Sequence, residues 1–209
     1  MALTKLNVYN RTLQKLGADT VSAVDEDTKN ANIISEIYDY VLVEVLQETF
    51  WTFATKRVEL TIASGISAVW ESFDLNYVYE LPSDYINVIG WSDNTAITKF
   101  EVIGSTQYIL SDISGLGMLY VFNNIDQTQW SPLFYDAFTD KLAAECAFMV
   151  LNSATKTAQM TEKYETISLP KAKAKEAQMN TPNSVNQNQW VNAKYSNSTT
   201  YSRYPTRYR

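Results

Sequence analysis

The chain has 209 residues, a mass of 23.8 kDa and a formal net charge of −6. This length supports one or two domains with a hydrophobic core, and a composition of 45% apolar and 19% charged residues is that of a globular protein. The sequence contains no histidine, which excludes Ser-His-Asp and Cys-His catalysis and histidine metal sites. The single cysteine, Cys146, excludes an intrachain disulfide and a cysteine-rich metal site.

Charge is unevenly distributed along the chain. Residues 180–209 contain four cations and no acidic residue, so they carry +4 while residues 1–179 carry −10. An acidic body disfavours generic nucleic-acid binding, which depends on lysine and arginine at the phosphates. The sequence has no membrane-length apolar run and no charged-then-apolar leader at its start, so we expect a soluble, untargeted protein.

Two helices are predicted before residue 50. Leucines and a tyrosine recur at spacings of three and four over residues 3–16, and Gly17 ends this apolar face. After an acidic turn at residues 25–27, Thr28 is placed to cap a second helix that runs to about Glu48. Acidic residues just before a helix are ordinary partners of its dipole, so we interpret the turn as structural rather than as a calcium site.

From Phe50 onward, short runs of β-branched and aromatic residues alternate with turn-forming residues. The Pro82-Ser83-Asp84 sequence interrupts one such run as a turn. Gly115 and Gly117 lack the third glycine and following helix of a phosphate loop, so they too indicate a turn between strands. The pattern predicts a small antiparallel β region with strands at 57–63, 75–81, 85–91, 97–103, 106–110 and 117–123.

Helical periodicity returns after residue 130. Ser131 followed by Pro132 is typical of a helix start, and the apolar spacing continues to about Leu151. A further helical segment follows Thr155. Pro170 within it predicts a bend near Leu169, because proline has no N–H to donate to the helical hydrogen bonds.

The predicted fold class is α+β, with three parts. Residues 1–50 and 130–179 form a helical bundle, residues 51–129 form an inserted antiparallel β domain, and residues 180–209 form an extended C-terminal tail. The tail is poor in aliphatic residues and rich in Asn, Gln, Ser and Thr. It is either a solubilising terminus or a docking segment that orders on a partner. The docking interpretation assigns partner contacts to Trp190, Tyr195, Tyr201, Arg203, Tyr204, Arg207, Tyr208 and Arg209.

No residue set points clearly to catalysis. Asp136 and Asp140 lie one helical turn apart and could in principle act as an acid–base pair, but charges on a solvated helix face are much more common. Cys146 lies in an apolar helical stretch and behaves as a small hydrophobic residue. The lysines at 171, 173 and 175 with Glu176 are typical of a solvated helix face. We therefore predict no enzyme activity, no cofactor and no metal.

Several strings, taken in order, carry a resemblance to a known family. They are NRTLQKLGA at 10–18, DEDT at 25–28, LQETFWTFATKR at 46–57, YELPSDY at 79–85, SPLF at 131–134 and LAAE at 142–145. This set resembles the tail tubular protein A family of short-tailed bacteriophages (podoviruses), over roughly residues 5–178. The tail beyond residue 180 is longer and more aromatic than the family core requires.

The resemblance implies a structural virion protein of the phage neck, made in the host cytoplasm. Members of that family are head-to-tail adaptors, in which a ring, usually of twelve copies, joins the portal protein to the tail nozzle protein. In such a ring we expect residues 185–209, with the tail contacts named above, to order against the portal and lock the ring to the head. Double-stranded DNA passes through the lumen of the ring without specific binding, and no cofactor or membrane is involved. Because an acidic wall repels phosphates, we expect acidic side chains to dominate the lumen.

The aromatic residues of the β region have two interpretations. They could form the ring or nozzle interface, or they could be buried within their own subunit. The candidates are Trp70, Phe73, Tyr77, Tyr79 and Trp91. A different class of function is also open, in which the protein is a carbohydrate- or receptor-binding β module of a phage tail and these aromatic rings stack on sugar.

Overall fold

A computed structural model describes residues 3–65 and 75–179. The protein is mixed α+β in these ranges, with helices at both ends and two small antiparallel sheets of three strands each. No helix in this part of the chain is long and apolar enough to cross a membrane. The predicted residues Trp70 and Phe73, and all the predicted tail contacts from Trp190 to Arg209, lie outside the described residues.

The helices begin and end where local capping signals place them. Thr28 and Ser131 accept hydrogen bonds from N–H groups of the first turn of α2 and α3, and Gly17 ends α1 with φ 77°. The helices are α1 (Lys5–Leu16), α2 (Lys29–Gln47), α3 (Pro132–Leu151), α4 (Ala154–Lys163) and α5 (Leu169–Met179).

A π-helical turn (Tyr164–Ser168) connects α4 to α5 directly before Pro170. The N–H of Leu169 bonds to the carbonyl of Tyr164, five residues back rather than four. Proline has no N–H and its ring crowds the preceding turn. The helical hydrogen-bond pattern therefore changes from four to five residues at the position where the sequence predicts a bend.

The strands form two separate sheets. They are β1 (Thr55–Glu59), β2 (Tyr77–Glu80), β3 (Tyr85–Trp91), β4 (Thr98–Ile103), β5 (Thr106–Ser111) and β6 (Gly117–Phe122). The first sheet has the order β1-β6-β3 and the second β2-β5-β4. Five strands agree with the predicted segments to within two residues.

The predicted strand 57–63 is divided between the two sheets. Its first part belongs to β1, while Ile62 bridges to Tyr79 on the edge of β2 in the other sheet. The chain changes sheet at Leu60, whose N–H bonds to the carbonyl of Leu116 at 2.9 Å.

The first sheet lies between the helices and the second sheet. Val121 of β6 is part of the core that the helices share, and Ile86 and Ile89 of β3 pack against that core. On its other face, Met118 and Tyr120 contact residues of the second sheet in a separate cluster. The far face of the second sheet buries Val78, Leu110, Ala63 and Leu75.

Candidate interaction surfaces

The carboxylate of Asp140 is fully buried at the centre of the helices. It accepts hydrogen bonds from Lys163 at 2.8 Å and from the Ser168 hydroxyl, and Lys15 forms an ion pair with it at 2.8 Å. Burial alone raises the pKa of a carboxyl, but the bonds from Lys15, Lys163 and Ser168 hold the pKa of Asp140 below its ordinary value. Asp140 thus joins α1, α3, α4 and the π turn.

The expectation that Asp136 and Asp140 form a solvated pair is wrong for Asp140. Only Asp136 is partly exposed, and its carboxylate shares Lys15 with Asp140, at 2.8 Å. The sequence contains one signal for this burial. Ala137 lies three positions before Asp140 and Ala144 four positions after it, so the three residues share one helix face, and all three are buried. The arrangement holds helices together and leaves no exposed acid–base pair.

The predicted solvated face around Glu176 also needs correction. The Glu176 side chain is buried, and its carboxylate accepts from the N–H and hydroxyl of Thr52. Lys173 pairs with Glu48 at 2.9 Å, whereas Lys171 and Lys175 are exposed as expected. These contacts fasten α5 to the segment between α2 and β1.

Cys146 is buried among helical residues, as the sequence indicates. Burial is the main cause that raises the pKa of its thiol, to about 12, so the thiolate is not populated at neutral pH. In residues 3–65 and 75–179, no three His, Cys, Asp or Glu side chains group together as a metal site. Glu26 of the acidic turn accepts from the N–H of Ser22, which is a structural contact.

The predicted β-region contacts have different environments. Tyr79 is fully buried between the sheets, and its hydroxyl donates to the carbonyl of Ile113 at 2.8 Å. Tyr77 and Trp91 are partly buried against the same cluster. Tyr79 therefore belongs to the core of its own chain, while Trp91 retains an accessible edge.

A groove of about 610 Å³ lies at one end of the first sheet, where β1 and β3 end and β6 begins. Trp91 and the oppositely charged residues Arg57 and Glu59 are among the residues that line this groove. Gly117 allows a close approach here, because a Cβ on it would lie 3.0 Å from the Cβ of Ser92. A groove lined by an aromatic residue and by charged residues is suited to a ligand that has both apolar and polar groups.

The end of α3 exposes large apolar side chains. Phe148 is 56% exposed, Met149 42% and Leu151 37%. Over the rest of the helix most residues are buried or partly buried, with Pro132 and Glu145 exposed. Helices of this kind are normally covered on every side, so this surface, which we call the α3 end patch, is suited to contact with another protein.

One face of α2 is acidic and aromatic. Glu36, Asp39 and Tyr40 lie at helical spacing and are exposed, Tyr40 to 74%. Within the described ranges, neither Glu36 nor Asp39 has an ion-pair partner. This face carries negative charge that no cation of the described chain neutralises.

No protein-family model matches the chain, and no curated protein matches it.

Proposed function

We propose that this protein is a structural subunit of a phage virion, a head-to-tail adaptor whose ring joins the portal protein to the tail nozzle protein and forms part of the DNA ejection channel. In this proposal the helices of residues 1–50 and 130–179 form a bundle, residues 51–129 an inserted β domain, and residues 180–209 an extended tail. The ordered strings that resemble the tail tubular protein A family motivate the proposal.

The observation that carries the proposal is the α3 end patch. A helix that is buried along most of its length exposes Phe148, Met149 and Leu151 together at its end. Exposed apolar groups of this size are costly in a free subunit and useful in an assembly. A ring built by rotation pairs such a patch with a different surface of the next copy.

Charge supports the same proposal. The body of the chain carries −10, and the α2 face adds exposed carboxylates without cationic partners. A channel wall of this sign repels DNA phosphates, so DNA slides rather than binds. In this proposal the α2 face lines the lumen, and a lumen lined with lysine and arginine would contradict it.

The test is the solution mass of the purified protein, measured by light scattering coupled to size exclusion, alone and with a portal ring. A stoichiometric complex of several copies on the portal supports the adaptor proposal. A protein that leaves a competent portal ring unbound contradicts it.

A second candidate function rests on the groove beside Trp91. Its aromatic face and flanking polar groups favour a carbohydrate- or receptor-binding β module of a phage tail. Glycan binding that is lost in Trp91→Ala, together with no assembly on the portal, would favour this second function over the first.

A further inference from the structure

Within residues 3–65 and 75–179, strand β4 is a regular edge strand, and no described segment covers its outer side. It pairs with β5 through six successive residue pairs, from Thr98↔Ser111 to Ile103↔Thr106, and is the last strand of its sheet. Apolar side chains are exposed along it, with Val102 at 65% and the preceding Ile97 at 60%. A regular edge strand with exposed apolar side chains is a template for pairing with another strand.

The other sheet edges in the described part of the chain are each protected. Strand β2 is covered by the segment 61–63, through bonds from Ala63 to Val78 and from Glu80 to Thr61. Strand β3 contains two register shifts, and β1 carries charged side chains at three of its five positions. Bulges, charges and a covering segment are the usual means by which proteins block strand edges. Among the described residues, strand β4 has neither a bulge nor a covering segment, and its two charged side chains, Lys99 and Glu101, are of opposite sign.

The hydrogen-bond pattern shows which groups of β4 face its free side. Asp112 donates to the carbonyl of Ile97, so Ile97 and every second residue after it face β5. The N–H and carbonyl groups of Thr98, Phe100 and Val102 therefore point away from the sheet. Both the donors and the acceptors needed for a further antiparallel strand lie along this edge.

The geometry points to antiparallel pairing of β4 with β4 of a second copy of this chain, centred on Phe100. In this register Phe100 lies opposite its own counterpart, and Thr98 lies opposite Val102. These are the residues with outward-facing backbone groups, so the contact forms about six inter-chain hydrogen bonds. Two three-stranded sheets become one continuous six-stranded sheet.

Charge selects this register. Lys99 of each copy lies opposite Glu101 of the other, in a pair without backbone hydrogen bonds, where side chains approach most closely. A shift by two residues in either direction places Lys99 opposite Lys99, or Glu101 opposite Glu101. Within one chain these two side chains make only a long exposed ion pair of 3.5 Å. The strand is thus complementary to itself in one arrangement.

This two-fold contact is distinct from the ring interface, because a two-fold pair closes on itself and does not continue around a ring. It does not depend on the proposed adaptor function. Its role is to cover the β4 edge of the subunit, which is otherwise open to nonspecific strand addition.

The first test uses charge exchange, measured by sedimentation equilibrium. Lys99→Glu and Glu101→Lys each place like charges opposite one another, so each variant alone should associate about tenfold more weakly or worse. The double variant K99E/E101K, and an equimolar mixture of the two single variants, should recover the wild-type association. Circular dichroism melts verify that all the variants remain folded.

The second test is crosslinking, which also works if the protein forms rings. Thr98→Cys in one chain and Val102→Cys in another should give an inter-chain disulfide on mild oxidation of the mixture, because the two residues are direct partners. Thr98→Cys alone should give far less, since the Cα atoms of the two copies of residue 98 are then about 14 Å apart. Cys146 is buried and stays in place as a common background.

A proline substitution provides a third test. Val102→Pro removes an N–H on the free side and leaves the bonds to β5, so it should abolish the pairing and preserve the fold. A wild-type protein without β4 pairing in solution, an association unchanged by the single charge reversals, or equal crosslinking of the mixture and of Thr98→Cys alone would each overturn the proposal.

Discussion

Glu176 and Thr52 are joined by two hydrogen bonds to a single carboxylate oxygen, at 2.9 Å from the Thr52 N–H and 2.5 Å from its hydroxyl. Thr52 begins the short 3-10 turn that leads into β1, and Glu176 lies in the last helix. The final described helix is therefore fixed to the start of the sheet region by side-chain contacts between residues that are distant in sequence.

Replacement of Glu176 by alanine should lower the free energy of unfolding by about 1 to 3 kcal/mol, because charge-assisted hydrogen bonds are lost from a buried carboxylate. Urea denaturation measures the change, and hydrogen exchange at the Thr52 amide should become faster. Glu165→Ala, at an exposed position of the π turn, is the control and should change stability by about 0.5 kcal/mol or less. Equal effects of the two variants would show that the Thr52 contact contributes little.

Asp140→Asn should destabilise the protein by about 3 kcal/mol, because a neutral amide cannot compensate two lysines at a buried site. Asp136→Asn is the matched control, since Asp136 is half exposed and shares the same Lys15. Its expected cost is about 1 kcal/mol or less. Chemical denaturation measures the free energy of unfolding of both variants. A loss of stability in D136N as large as that in D140N would contradict the central role of Asp140.

The same carboxylate predicts a pH dependence of stability. The pKa of Asp140 is lower in the folded protein than in the unfolded chain, so its contribution is fully present above the unfolded value of about 3.9. The contribution is lost as pH falls below that value and through the folded pKa. The stability difference between wild type and D140N should therefore be constant near neutral pH and shrink in acid. If the stability difference between wild type and D140N instead grew as pH fell, the pKa of Asp140 would be raised in the folded protein rather than lowered.

Conversion of Phe148 and Met149 to serine should prevent assembly on a portal ring and leave the fold of the subunit intact, because both side chains are exposed in the subunit. Light scattering measures assembly, and a thermal melt verifies folding. Ile125→Ser removes an exposed aliphatic side chain outside the α3 end patch and should assemble normally. Normal assembly of the double variant would exclude this patch as the ring contact.

Truncation after Met179 removes the aromatic and cationic segment and should weaken binding to the portal, if residues 185–209 order against it as proposed. The melting temperature of the isolated protein should remain close to that of the full chain. Binding is measured by titration of the truncated and full chains onto portal rings, and full affinity of the truncated chain would refute the docking role.

The sequence predicted the helices well because their boundaries depend on local chemistry. Thr28, Ser131 and Gly17 act on their own first or last turns, so their effect is visible without knowledge of the rest of the fold. Strand positions were also approximately correct, since alternation is local too. The division of 57–63 between two sheets was missed, because it depends on which distant strand each part contacts.

The buried carboxylates were missed for a related reason. Asp140 is neutralised by Lys15, far from it in sequence, and Glu176 by groups of Thr52. A charged residue on a helix is indistinguishable from a solvated one until its partner is known. For the candidate surfaces, the sequence indicated aromatic residues such as Tyr79, whereas the exposed groups lie at the end of α3 and along β4.

The π turn before Pro170 is equivalent to one surplus residue within an otherwise continuous helix. If the same residues continued as a regular α-helix, every residue beyond this turn would be rotated by about 100° about the helix axis from its present position. Glu176 would then point away from Thr52, and Ala172 would leave the core. The orientation of the last helix, and hence the direction in which the chain continues after residue 179, is thus encoded by a one-residue insertion.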